Sequence, residues 1–279
     1  MSTFYNNLKT VVLLAVLTGL IMWIGSLFGP NGLWIALIFA GVMNFVSFFF
    51  SDKIAVMAMR GQEVGPEHVL YRIVQDLAQR ASLPMPRVYV SPHEAPNAFA
   101  TGRSPNHAAV CATEGLLQML TPNEVAGVMS HELAHVKHRD ILIQSVAVTI
   151  GAAIGMLAHM AWWGGGRRNS EGHPLALLAA MLFGPLAAGL IQAAISRSRE
   201  FNADKGGAQI VGDPMYLATA LEKIHAMNQR IPMNVPPAFN SLFIAEPRSM
   251  MRSVGNLFQT HPPLEARLMN LIGRPSIQA

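Results

Sequence analysis

His131-Glu132-Leu133-Ala134-His135 is the stretch whose residue types and spacing are best suited to chemistry. On a helix, residues four apart share a face. Two imidazoles so placed can grip one Zn2+ while the glutamate between them reaches a water beside the metal. That is the working core of a zinc-dependent peptide hydrolase; the plain alternative is a polar helix with no metal. His138, three residues further on, does not repeat the spacing of four and reads as a solvated neighbour of the ligands.

A hydrolytic zinc takes three protein ligands and leaves one position for water, so one ligand must come from elsewhere. Glu200 and Asp204, in Ser196-Arg197-Ser198-Arg199-Glu200-Phe201-Asn202-Ala203-Asp204, are again four apart on one helical face. One carboxylate can bind the metal while the other accepts a hydrogen bond from a ligating histidine and fixes its tautomer. The competing reading is a solvated acidic face balanced by Arg197 and Arg199.

Taken in order, these motifs resemble the M48 peptidases. Two apolar runs precede His131-Glu132-Leu133-Ala134-His135, and two more separate it from Glu200. Pro96-Asn97-Ala98-Phe99-Ala100-Thr101-Gly102 and Thr260-His261-Pro262-Pro263 resemble blocks of the same family, so the likeness covers essentially the whole chain. The resemblance implies Glu200 as third ligand to a single Zn2+ per chain and Asp204 as the acceptor behind an imidazole. It also implies that Asn97 bonds a substrate backbone, against the alternative of a turn residue after Pro96. His261 is a candidate to share the charge of an oxyanion, against a capping or buried structural histidine. Arg267 reads as a structural partner. Quality control of damaged or misassembled membrane proteins under stress is a further implication of the family alone.

The elements that must position these residues begin in a membrane. Apolar residues make up 51% of the 279 and charged ones only 13%. Val11 to Phe28 is 18 residues without a charge and Gly32 to Phe50 is 19 more, each near the ~20 that cross a bilayer. Gly29-Pro30-Asn31 reads as the tight connection of a hairpin. The first run is longer than a signal-peptide core, with no small-x-small cleavage site after it, and reads as an uncleaved anchor. Ile141 to Trp163 and Pro174 to Ile195 are long enough to cross but contain polar residues, so buried or interfacial helices are their alternative. Gly151 and Gly155 offer a small-residue packing seam.

Two crossings between residues 141 and 195 would return the chain to the side it left, as a zinc shared by His131, His135 and Glu200 requires. Lys9, Lys53, Arg60, Lys137, Arg139, Arg197, Arg199 and Lys205 then flank one membrane face and only Arg167 and Arg168 the other. The positive-inside rule puts the larger side in the cytoplasm; a bacterial inner membrane is what the family resemblance implies. A lone Cys111, which reads as a core residue, agrees with a reducing compartment. The net charge of +4 is scattered over membrane flanks, which argues against nucleic acid.

The expected fold is a mainly α membrane protein whose transmembrane helices carry an α+β zincin-type protease domain with a small sheet. Residues 1–50 form the hairpin, 51–140 and 196–279 the two parts of the cytoplasmic domain, and 141–195 the second hydrophobic pair. Within the domain we expect an amphipathic helix over 65–83 with Val69, Leu70, Ile73, Val74, Leu77 and Ala78 inward, and strands at 87–90 and 108–112. Thr121-Pro122-Asn123-Glu124 should cap a helix from Pro122 to about Asp140, and Tyr216 to Met227 and Leu264 to Ile272 should be helical. The strand at 108–112 is the expected edge for an extended substrate. The expected activity is endopeptidase cleavage of proteins in or near the bilayer. Its rivals are trimming of lipid-modified C-termini, and a non-catalytic zinc-dependent scaffold or transporter.

Overall fold

The computed structural model describes residues 2–26, 29–151, 197–228, 230 and 262–277. Its first helices are α1 (Ser2–Ser26) and α2 (Gly29–Phe49), which pack together and share a hydrogen bond from Asn44 Nδ2 to Thr18 Oγ1 at 2.7 Å. Among the described residues, α2 is the one helix both long and apolar enough to cross a membrane. It turns Trp34, Ile35, Ile38, Val42 and Phe45 outward, as a lipid-facing surface requires. Gly29, Pro30 and Asn31 form its first turn instead of a separate connection. Proline is tolerated there because the first-turn N–H groups have no intrahelical acceptor.

Helix α3 (Ser51–Ala58) follows α2 after a single residue, and a short strand β1 (Gln62–Glu63) follows it. Helix α4 (Val69–Ala81) starts four residues later than the periodicity suggests, because His68 accepts from the Leu70 N–H and caps it. Leu70, Val74, Leu77, Ala78 and Ala81 are buried, whereas Val69 is 54% exposed. The first helical residue lies off the apolar stripe despite its type.

Strands β2 (Arg87–Ser91), β3 (Ala98–Gly102) and β4 (Ala108–Thr113) complete a mixed sheet in the order β1-β2-β4-β3. β2 and β4 are parallel; β3 runs antiparallel to β4 and β1 to β2. This corrects the expected substrate edge. The strand at 108–112 is paired on both sides and has no free backbone, whereas β3, which packs on the helix of His131 and His135, forms the rim. The Thr113 N–H donates to Asn97 O at 2.9 Å. The alternation of an antiparallel ladder therefore turns the polar groups of Ala98, Ala100 and Gly102 away from β4.

After α5 (Glu114–Met119), helix α6 (Pro122–His138) runs through the centre of the domain. Its start is a complete capping box: Thr121 N–H donates to Glu124 Oε2 at 2.8 Å and Glu124 N–H to Thr121 Oγ1 at 3.4 Å. Lys223 pins the same carboxylate at 2.7 Å. Leu133, Ala134, Val128 and Met129 are fully buried, and each large apolar side chain so placed contributes about 1.5–3 kcal/mol. Helix α7 (Ile141–Gly151) follows directly and packs Ile143, Val146, Ala147 and Ile150 on Leu13 and Leu17 of α1. Its Ser145 accepts from the Gly102 N–H at 3.1 Å and shares a 2.7 Å hydrogen bond with Thr101. The first half of the third apolar run is thereby tied to the sheet rim.

The fourth apolar run, the glycine-rich connector before it and His261 lie outside the described residues. Helices α8 (Arg197–Val211), α9 (Pro214–Asn228) and α10 (Leu264–Ile272) close around α6. Gly207 makes the approach of α8 possible: a Cβ there would sit 2.8 Å from His131 N. The described domain is thus mainly helical with a small sheet, as expected, and has four strands where two were legible.

Candidate metal centre

The middle of α6 holds His131, Glu132 and His135, all buried. The Nε2 atoms of the two histidines face each other at 3.2 Å. The Gly207 contact lays α8 against this turn and carries Glu200 to the same point. Its carboxylate oxygens lie 3.8 Å from His131 Nε2 and 3.5 Å from His135 Nε2. One donor atom from each of the three residues falls within 4.8 Å of the others. Donors about 2.1 Å from a tetrahedral zinc stand roughly 3.4 Å apart, so the cluster has the size of a zinc site.

Each imidazole is held from behind. Asp204, one turn beyond Glu200, places Oδ1 2.9 Å from His131 Nδ1. Arg267 from α10 grips Asp204 with two bonds, Nη2 to Oδ1 at 2.6 Å and Nε to Oδ2 at 3.0 Å. Arg267 Nη2 also lies 3.4 Å from His131 Nδ1. A guanidinium can only donate, so Nδ1 directs its proton to Asp204 and leaves Nε2 with its lone pair towards the metal position.

The second hold is Asp140, which the motif reading passed over. Helix α6 ends with Arg139 in the left-handed region at φ 59°; the Asp140 N–H donates to His135 O at 3.0 Å and the Arg139 N–H to Val136 O at 3.1 Å. This double reverse bond folds the chain back on the last turn and sets Asp140 Oδ2 3.3 Å from His135 Nδ1. Arg199 Nε stands 4.0 Å from the other Asp140 oxygen. The available signal was an acid just past the basic end of the helix; which carboxylate would fold back could not be read without Arg139's conformation.

The electrostatics fit a divalent cation. Glu132, Asp140, Glu200 and Asp204 are four buried carboxylates, and Arg199 and Arg267 are two guanidiniums beside them. Among the described residues the acids of this cluster outnumber the guanidiniums four to two, and buried negative charge of that density favours a bound cation. The histidines show the strain in opposite ways. Burial, reinforced by Arg267 and His135 against the pull of Asp204, lowers His131 to about 4. Burial also opposes charge on His135, but Glu200, Asp140 and Glu132 outweigh it and raise that residue to about 9. Burial works against ionised Asp204 as well; Arg267 and His131 override it and hold the carboxyl below its ordinary value. Facing Nε2 lone pairs need a cation between them, either a proton on His135 or a metal.

Asn97 is buried at the start of β3, where its N–H donates to Thr113 Oγ1 at 2.9 Å. His138 lies beside Gly206 on α8, outside the donor cluster, and burial lowers its pKa. Cys111 is buried in the sheet and pushed up to about 12 by that burial, which makes it inert as a nucleophile.

Comparison with known proteins decides the lineage. The family description "Peptidase family M48" matches residues 66–274, a span holding the whole donor cluster and both acids behind it. This chain belongs to that family. It is 52% identical over 278 residues to a protein named Protease HtpX homolog of Syntrophotalea carbinolica, covering 95% of this chain and 98% of that one. It is 49% identical over 276 residues to a Protease HtpX homolog of Burkholderia cenocepacia strain HI2424, covering 96% of each. The crystal structure of S. mikatae Ste24p shares the fold, with a TM-score of 0.52 at 20% identity over 97% of this chain and 66% of the other. The M48 chain described here is accordingly a metalloprotease of the HtpX-like group, with His131, His135 and Glu200 as its candidate metal site.

Proposed function

We propose that this chain is a zinc endopeptidase of the bacterial inner membrane that cuts misfolded or damaged membrane proteins on the cytoplasmic side. The observation that carries the reading is the convergence of two imidazoles and one carboxylate on a single point, with Glu132 on the same helix between the histidines. His131, His135 and Glu200 hold the metal, and the mixed nitrogen and oxygen donor set suits zinc. When bound, zinc supplies Lewis acidity that draws a water towards a pKa of about 7 and polarises a carbonyl.

The remaining steps belong to the chain's own side chains. Glu132 takes the proton of the attacking water and returns it to the departing amide nitrogen. Asp204 and Asp140 hold the histidine rings so that Nε2 of each stays aimed at the metal position. The substrate lies extended along β3, where the backbone groups of Ala98 and Ala100 turn away from β4. Asn97 at the head of that strand bonds the substrate main chain, and His261 donates to the developing oxyanion.

Helix α2 and the apolar runs at 141–163 and 174–195 hold the enzyme in the bilayer, with 1–50 as a hairpin and 51–140 and 196–279 as the two parts of the protease domain. The basic flanks, from Lys9 to Lys205, support a cytoplasmic active site. The helix that carries His131 and His135 is followed directly by the apolar α7, which favours substrates already at the membrane. A role in stress response follows from the family resemblance.

The test is Glu132→Gln in purified protein. It should keep one zinc per chain while cleavage of casein and of an unfolded membrane protein falls about 10²–10⁴-fold. Undiminished cleavage by that variant would remove Glu132 as the base. Cleavage restricted to lipid-modified C-termini would replace the substrate class.

A further inference from the structure

A cleft far simpler than the metal centre lies where α2 meets the domain. Its volume is about 500 Å3, and Asp52, Lys53, Met57, Arg60, Arg87 and Tyr89 line it. Phe50 alone separates α2 from α3, so the cleft stands at the end of the apolar helix that faces lipid. Three cations meet there with one buried carboxylate. Asp52 is engaged by Arg87 at 2.5 Å, and among the described residues Lys53 and Arg60 have no carboxylate within ion-pair distance.

The cationic lining is built into the backbone. Arg60 adopts a left-handed conformation at φ 51°, with its N–H donating to Met57 O at 3.0 Å and the Gly61 N–H to Val56 O at 2.9 Å. Ser91 Oγ from β2 donates to Met59 O at 2.5 Å and ties the same turn to the sheet. Lys53 rests its ammonium 5.4 Å from the centre of the Phe50 ring. Met57, 73% exposed, gives one wall an apolar lip. Paired positive charge beside an apolar lip at a membrane face matches an anionic amphiphile: a phosphate with a hydrocarbon tail.

We propose that this cleft binds the phosphate of an anionic lipid headgroup through Lys53, Arg60 and Arg87, and so fixes the height of the protease domain over the bilayer. The proposal rests on the reading of α2 as a membrane span. Full-length protein is assembled into nanodiscs of phosphatidylcholine with a minor share of phosphatidylglycerol, and the lipids retained after release into detergent are counted by native mass spectrometry. Replacing both free cations (Lys53→Gln with Arg60→Gln) should cut retained phosphatidylglycerol about ten- to thirtyfold and leave phosphatidylcholine unchanged. Arg103 lies 5.3 Å from the centre of the Phe49 ring at the end of α2 but outside the cleft, and the pair Lys9→Gln with Arg103→Gln, which removes the same charge, should change retention little. Equal loss in both pairs would mean diffuse attraction and overturn the site. Displacement of phosphatidylglycerol by millimolar inorganic phosphate, with equal binding of phosphate in pure phosphatidylcholine, would assign the cleft to the free ion and overturn the lipid. Protein that fails to enter phosphatidylcholine nanodiscs sinks the span, and the proposal with it. Protein that enters them without preferring phosphatidylglycerol sinks the lipid site alone.

Discussion

The two imidazoles of the candidate metal centre sit one turn apart on one helix and are buried alike, yet their outer nitrogens are anchored differently. Behind His131 stand Asp204 and Arg267, both fully enclosed and joined by two short bonds. Behind His135 stands Asp140 at 3.3 Å, backed by Arg199 at 4.0 Å, whose side chain keeps 11% of its exposure. The first arm is assembled from three helices remote in sequence, α6, α8 and α10; the second is almost local, folding back from the end of α6. Enclosure and bidentate geometry make the first arm tight and neutral at its histidine. The looser second arm faces three carboxylates, and its histidine takes a proton. One helix thus presents two candidate ligands with opposite affinities for hydrogen ions.

Asp204→Ala should break the comparison most severely. It removes the carboxylate that grips the buried Arg267 with two bonds, and removing one member of a buried pair costs about 3–5 kcal/mol; thermal melting should show it even in metal-free protein. Gly207→Ala comes next, since its new Cβ would meet the backbone of His131. Overpacking of this kind costs about 1–3 kcal/mol, and metal content should fall with it because α8 carries Glu200. Asp140→Ala should be milder, about tenfold in zinc affinity by competition with a chelator, with little loss of melting temperature. Equal destabilisation by the two aspartate variants would show that the arms are energetically the same.

The smallest effect sharpens the contrast through pH. In the metal-free protein the imidazolium of His135 persists up to about pH 9, above the ordinary value near 6.5. Its contribution to stability is fully present below pH 6.5 and is lost as the pH rises through 9. Zinc must displace that proton, so apparent affinity should climb about tenfold per pH unit up to 9 and then level off. His131, lowered to about 4, is already neutral throughout this range and adds nothing to the slope. Calorimetry in buffers of different ionisation enthalpy should therefore find about one proton released per zinc at neutral pH. Two protons would erase the distinction between the arms.

Local patterns were the most legible. The capping box at Thr121 and Glu124, the run of α6 and the end points of α10 follow from short-range hydrogen bonding and periodicity. The pairs His131 with His135 and Glu200 with Asp204 follow from helical spacing alone. The rim strand β3 did not, because Ala98-Phe99-Ala100-Thr101-Gly102 is buried at every position and shows no alternation. Without β3, the strand at 108–112 looked like an edge.

What the sequence by itself determined is the chemistry available on each helical face, since a rise of 1.5 Å and 3.6 residues per turn leaves no choice of neighbours four apart. Only the tertiary structure decided which carboxylate meets which imidazole. Glu200 reaches the histidines because Gly207 lets two backbones touch, and Asp140 does so because Arg139 turns left-handed. Contacts of that kind depend on a few tenths of an ångström between remote segments, a distance that no spacing along the chain encodes.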